Sequence, residues 1–403
     1  MTIRTILLSL LASSASLHGQ SGAPIIRSDA VEVSGTVGRD GNVLLAVLER
    51  RVVAGLPRGQ ISVYGASHKD GSWEPIYQTG ESSTAEDVEY GDPSLVYNSH
   101  DDRFYLFGMK IRRLTGKDGD AVYEPPEFRS DLFVRSAGSA GKDWSPPRLL
   151  HEDAGRSFAD YPVALLLDKT RILVAYTAIT SRDAASASSR IHLSLLNPLD
   201  GSLRSTTLPE DLGIAPTKSV SSVVAEGSTV YLTVADPERL HIVAYDLVRE
   251  SFKLLISYPH SFDWTRNVVI TKSVVHGGKV YVAAHQAHTV NSVVSLYRFD
   301  LRRGIAAAIR SDIKGSHICL VGAGDRLVIT ANQKIGSRSK LAVYAQHRGS
   351  EKIRLIRRYD TGKWSSTGYT GEYQYLLETE GKLTQYYIRH SHPPGVGQRL
   401  IGH

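Results

Sequence analysis

The chain has 403 residues, 41% hydrophobic and 22% charged, with a formal net charge of +6. This is an ordinary globular composition, long enough for a large core. The basic residues are dispersed, with only small clusters such as Arg302-Arg303 and Arg357-Arg358, so no compact basic and aromatic patch marks a nucleic-acid surface.

The first element is Met1-Thr-Ile-Arg-Thr-Ile-Leu-Leu-Ser-Leu-Leu-Ala. One arginine precedes a short apolar run, and small residues follow. That order predicts a secretory signal over residues 1–20, cleaved between Ala15 and Gly22, and a secreted protein. The run is too short to span a bilayer and no later stretch is longer, so stable membrane insertion is not expected. Val43–Leu48 and Ile61–Tyr64 read as buried strands, with Gly, Ser and Asp in the gaps. Residues 79–90, 115–129 and 181–189 read as long polar surface loops of the kind that carry binding chemistry. No linker separates two domains, so residues 21–403 are expected to form one. Cys319 is the only cysteine; set in Ile318-Cys-Leu-Val321, it reads as a buried thiol, and no disulfide is possible within the chain.

Seven segments, beginning near Glu32, Gly91, Ala159, Ser219, Thr271, Gly315 and Gly371, repeat one pattern: an apolar run, a polar break, and a second alternating run. The clearest pair starts at Thr217 and Thr271. Each is two short strands joined by a turn, at a period of ~45–70 residues, which a radial or solenoid array requires because one unit cannot bury its own apolar face. With little helical periodicity, the expected fold is all-β: a β-propeller of six or seven four-stranded blades around a central channel.

Several stretches resemble the sialidase family of propellers, including the trans-sialidases. Gly38–Arg51 resembles the first-blade block. Gly91-Asp-Pro-Ser-Leu-Val-Tyr97 followed by Arg103-Phe-Tyr-Leu-Phe107 resembles the Asp-Pro block, and Glu372–Leu383 resembles the block with the tyrosine nucleophile. Ser67–Trp73, Ser136–Trp144 and Asp360–Trp364 resemble Asp-box turns. In such a turn Asp accepts backbone N–H bonds, Gly takes positive φ and Trp packs beneath the hairpin. The resemblance covers most of the chain in pattern and short islands in residues.

It implies a glycan or glycoconjugate ligand, sialylated in the family, and no cofactor. Tyr373 matches the nucleophile, with Tyr369 beside it. Asp92 matches a substrate-contacting aspartate, and Arg338 falls near the third arginine of the carboxylate clamp. Elsewhere the chain departs from the family. Glu32 stands at the place of the first clamp arginine, residues 52–60 hold no carboxylate for the general acid, and Ser219 and Val220 stand where the activating Glu belongs. Asp87, Glu89 and Asp183 are candidate replacement acids, and Arg239 a candidate replacement clamp. Three functions stay open: a diverged sialidase, a lectin-like or adhesive propeller without hydrolysis, and another propeller glycosidase using paired carboxylates. His285 and His288 are three apart in an apparent strand and point to opposite faces, so no zinc site is expected there, and no other metal-ligand cluster is visible.

Overall fold

The computed structural model describes residues 26–401 except 28–29, 54–55, 67–71, 81–87, 114–127, 152–157, 180–187, 264–268, 287–291, 324–325, 348–349, 351, 364–374, 380–381 and 390–394. Within them the chain is a β-propeller, with strands throughout and a single short 3₁₀ turn at Glu210–Leu212.

The chain enters through a short strand, β1 (Ile26–Arg27). Blade I follows as β2 (Ala30–Val37), β3 (Val43–Val53), β4 (Leu56–Ala66) and β5 (Trp73–Gln78). Blade II is β6 (Val88–Asn98), β7 (Arg103–Arg113), β8 (Phe128–Gly138) and β9 (Arg148–His151). Blade III is β10 (Phe158–Asp168), β11 (Arg171–Ile179), β12 (Ser189–Leu196) and β13 (Leu203–Thr207). Blade IV is β14 (Ser219–Glu226), β15 (Thr229–Ala235), β16 (Arg239–Asp246) and β17 (Ser251–Pro259). Blade V is β18 (Val269–His276), β19 (Lys279–Gln286), β20 (Val293–Asp300) and β21 (Ile305–Lys314). Blade VI is β22 (Ser316–Ala323), β23 (Arg326–Ile335), β24 (Arg338–His347) and β25 (Arg354–Lys363). Blade VII is β26 (Tyr375–Thr379), β27 (Lys382–Arg389) and β28 (Gly395–Ile401), completed by β1 on its outer edge.

These strands form six hydrogen-bonded sheets. Five have four strands. The sixth has eight because blades II and III are joined by one parallel bridge, Phe158 with Ser130. Each half is itself a four-stranded antiparallel unit, so there are seven units, in register with the seven sequence repeats. Five repeat starts fall inside the innermost strands β2, β6, β10, β14 and β18, Gly315 falls one residue before β22, and Gly371 shortly before β26.

Packing closes the ring. Every blade pair shares an apolar layer: Ile61 and Leu48 of blade I meet Leu95 and Phe104 of blade II, and Phe107 of blade II meets Ile172 and Val174 of blade III. The same layering continues between blades III and IV, IV and V, and V and VI. Val328 and Leu341 of blade VI meet Leu383 of blade VII, and Tyr386 and Val396 of blade VII return to Val33 and Leu45 of blade I. Because β1 pairs with β28 in that last blade, the first and last described strands fasten the ring to itself. Cys319 is buried, as its apolar run implies.

The alternation of branched and aromatic residues sets the strands, and turn chemistry sets their ends. Gly277 and Gly278, both at positive φ (58° and 71°), make the two-residue turn between β18 and β19, a conformation that needs no Cβ at either position. Between blades, the inner strands would otherwise leave backbone N–H groups unmet. Side-chain hydroxyls meet them. Ser34 Oγ accepts from Leu95 N (3.0 Å), Ser94 Oγ from Ala164 N (3.1 Å) and Thr177 Oγ1 from Val220 N (3.0 Å). Ser221 Oγ accepts from Thr271 N and Ser222 Oγ from Ser273 N, each at 2.7 Å. The serines near the axis are therefore clips between successive blades.

The turn stretches differ among themselves. Ser136–Trp144 lies at the β8–β9 hairpin: Gly141 and Asp143 have positive φ, and Trp144 Nε1 donates to Gly141 O at 2.9 Å while the ring packs on Tyr77. Residues 67–71 lie outside the described residues, but Trp73 opens β5 against Tyr386. Asp360 is not in a hairpin; it sits within β25, and Trp364 lies outside the described residues. Residues 88–90, read as loop, begin β6.

Candidate functional site

The innermost strands do not run straight. Pairing slips near the start of β2, β6, β10, β14 and β22, between Ala30 and Glu32, Gly91 and Ser94, Asp160 and Val163, Val220 and Ser222, and Ser316 and Cys319. All five irregularities lie at the same end of the propeller, where the inner strands begin. Bulges of this kind re-aim side chains beside functional sites.

Here a cavity of about 290 Å³ opens between β2, β6, β10, β14 and β18. Glu32 and Asp92 bring two carboxylates to it, Lys272 one ammonium, and Ser34, Ser94, Ser221 and Ser273 four hydroxyls; Pro93, Pro162 and Val163 supply apolar wall. Glu32 is 4% exposed. Asp92 has φ 46°, in the left-handed region that an L residue enters at a cost. It is held there between Gly91 and Pro93, inside the β6 bulge. Among the described residues, no arginine lines this cavity.

Asp92 thus sits at the channel cavity. Arg338 does not line it: it opens β24 and donates through Nε to Asp360 Oδ2 at 2.5 Å, which raises its pKa further. Tyr373 and Tyr369 lie outside the described residues, as do Asp87 and Asp183. Glu89 accepts from Gly59 N at 3.3 Å, tying β6 to β4. Arg239 starts β16, where its own N–H donates to Asp236. His285 is buried in β19; His288 lies outside the described residues, and among those described no cluster of metal-binding side chains occurs.

Two polar groupings are chemically suggestive but are occupied with holding strands. Glu49 is buried, accepting from Ser62 Oγ at 2.6 Å and Tyr64 Oη at 2.5 Å. Burial, and then that hydrogen bond, push the Tyr64 phenol well up, so it stays protonated. In blade IV, His241 lies 2.8 Å from both Ser257 Oγ and Asp236 Oδ2. The same aspartate accepts the Glu238, Arg239 and Ala215 N–H groups, closing the turn between β15 and β16. His260 donates from Nε2 to Asp236 O and accepts at Nδ1 from Phe262 N, the pattern of a neutral ring, and burial lowers its pKa.

Sequence reasoning missed Lys272 and treated Glu32 only as a missing arginine. The available signal was position: Glu32 stands at a repeat start and Lys272 directly after one, and a repeat start here lies near the start of an inner strand.

No family model matches the chain, and no curated protein matches it in sequence. Solved structures do match in fold. A polysaccharide lyase of family PL25, an ulvan lyase bound to -[GlcA(1-4)Rha3S]-, aligns with TM-score 0.58 at 8% identity, over 94% of each chain. The α-L-arabinofuranosidase Arb93A from Fusarium graminearum aligns with TM-score 0.51 at 10% identity, over 93% of each. A mutant Trypanosoma rangeli sialidase displaying trans-sialidase activity aligns with TM-score 0.47 at 11% identity; the chain spans 56% of it, and that likeness carries no weight. The chain is thus similar in fold to propellers that act on glycans, and not to a sialidase in particular.

Proposed function

We propose that this chain is a glycan-acting propeller that receives a neutral saccharide at the channel cavity and hydrolyses it with the Glu32 and Asp92 carboxylates. One observation carries this: Glu32 and Asp92, 60 residues apart, both line one cavity whose other polar groups are four serines and one lysine, with Asp92 held at positive φ. Paired carboxylates are what acid–base glycoside cleavage needs, and hydroxyl-rich walls suit a sugar. The fold shared with the arabinofuranosidase supports the same class. Two carboxylates facing one ammonium favour a neutral sugar over an anionic one. Residues 1–20 as a secretory signal and residues 21–403 as one propeller complete the reading, placing the protein where extracellular glycans are.

The test is a panel of oligosaccharides, including arabinan fragments, followed by new reducing ends and by calorimetric binding. At least one neutral member is cleaved by the wild type, and Glu32→Gln or Asp92→Asn lowers turnover about 100- to 10,000-fold. Unchanged turnover in both variants would refute the assignment. The narrower sialic-acid reading, with Tyr373 as nucleophile and Asp92 and Arg338 on substrate, is decided by a sialoside in the same panel: cleavage abolished by Tyr373→Phe would replace the neutral-sugar reading. Saturable binding of a neutral glycan without cleavage, lost on Asp92→Asn, would make the protein a lectin.

A further inference from the structure

A second cavity, of about 450 Å³, lies at the opposite end of the propeller, between blades II and III. Its walls come from the turn between β6 and β7, the turn between β8 and β9, and the turn between β12 and β13. All three join a strand that runs away from the bulged end to one that runs back. Arg103, Arg135 and Arg148 line this cleft together with one carboxylate, Asp101. Three guanidiniums facing one carboxylate leave a positive excess within one small volume.

The arginines are held in place by contacts that do not neutralise them. Arg103 donates to Ser136 Oγ at 3.1 Å, Arg135 donates to Ser145 O at 3.2 Å and rests over the Tyr77 ring at 5.4 Å, and Arg148 donates to Gly201 O. Two lining residues also carry buried polar atoms without a hydrogen-bond partner: Arg135 Nε, a donor, and Asp101 Oδ1, an acceptor. The other Asp101 oxygen takes the Tyr105 hydroxyl at 2.5 Å. Buried polar atoms of this kind are met by water or by a ligand. Guanidinium forks match the oxyanions of a carboxylate or sulfate. A carboxylate acceptor among them asks for a ligand that also donates a hydroxyl. Leu199, 61% exposed, and Pro198 add an apolar ledge.

We propose that this cleft is a binding subsite for an acidic saccharide: the arginines hold its carboxylate or sulfate, and Asp101 accepts a neighbouring sugar hydroxyl. It is separate from the channel cavity and does not depend on the function assigned there. It gives the protein a way to hold an acidic polysaccharide.

The test is calorimetry on the full chain with three probes: glucuronate, galactose 6-sulfate and inorganic sulfate. The two saccharides are expected to bind saturably, and Arg103→Gln or Arg148→Gln to weaken both about tenfold. Arg148 is exposed, so its variant keeps the fold; unchanged far-ultraviolet dichroism checks this. Asp101→Asn should weaken the saccharides while leaving inorganic sulfate as tight or tighter, because it loses a strong acceptor and a repelling charge. Preference for glucuronate or for galactose 6-sulfate says which oxyanion the site is built for. No saturable binding of either saccharide, equal affinity in the arginine variants, or an Asp101→Asn variant that treats all three probes alike would overturn the proposal. Displacement of the saccharides by a short poly-glutamate peptide that binds more tightly than either would overturn it in favour of an acidic protein partner.

Discussion

At the bulged end of the inner strands, Glu32 and Asp92 share a cavity with one lysine and four serines; at the hairpin end, Arg103, Arg135 and Arg148 share another with Asp101. Blade II contributes to both. From Asp92 to Asn98 along β6 is six residues, roughly 20 Å at the rise of a strand. That is about twice the distance over which exposed charges feel one another at ordinary salt, about 8–10 Å. One blade can therefore carry acidic chemistry at one tip and basic chemistry at the other without either cancelling. At the channel end the pairing slips in five inner strands, whereas β7 and β8 beside them pair in unbroken register from Arg103 to Arg113.

The largest expected effect removes what the two ends share. Phe107 is fully buried in the layer between blades II and III. Phe107→Ala should cost ~3–5 kcal/mol in urea unfolding and impair both cavities together. A loss below ~1 kcal/mol would mean the two blades are not packed through this layer. A clip variant acts at the channel end alone. Ser221→Ala leaves the buried Thr271 N–H without its acceptor, and a loss of ~1–3 kcal/mol is expected, with binding at the arginine cleft unchanged.

Acidity should also act on one side. Burial lowers the His260 pKa below its ordinary value, so the folded state resists protonation more than the unfolded chain does. Its contribution to stability is full above the unfolded value of about 6.5 and is lost as pH falls from there toward the folded value. Urea midpoints measured from pH 7 to 5.5 should fall, and His260→Gln should flatten the fall. An unchanged slope in the variant would assign the pH response to another group. The smallest effect is the most telling about Asp92. Because its φ is positive, Asp92→Gly should leave stability unchanged or raise it by up to ~1 kcal/mol while removing saccharide handling. A clear loss in thermal midpoint would make Asp92 a structural brace.

Much of the architecture could be read from the chain. Repeats starting at Glu32, Gly91, Ala159, Ser219 and Thr271 mark inner strands because each start falls within one and is followed by an apolar run that packs between blades. The choice between six and seven units turned on something sequence does not encode locally, the single bridge that joins blades II and III into one sheet. Asp360 read as a turn residue because Asp-Thr-Gly before Trp is turn chemistry. In the fold β25 runs back along β24, so Asp360 pairs with Lys340 in the ladder and its carboxylate meets Arg338. Of the site, Asp92 was visible through its Gly-Asp-Pro context. Lys272 was not, since the residues lining the cavity come from five blades far apart in the chain and nothing local marks them. The arginine cleft was hidden for the same reason: Arg103, Arg135 and Arg148 sit on three successive strands and meet only once β7, β8 and β9 are paired.

Whether Glu32 and Asp92 form one saccharide site at the channel can be measured by neutral-oligosaccharide cleavage and binding by the wild type, Glu32→Gln, Asp92→Asn and the double variant, with thermal midpoints alongside. The expected result is unchanged midpoints, cleavage about 100- to 10,000-fold lower in each single variant, and little further loss in the double, because the two carboxylates act on one substrate. Full activity in the double variant, or losses that follow the thermal midpoint, would contradict it.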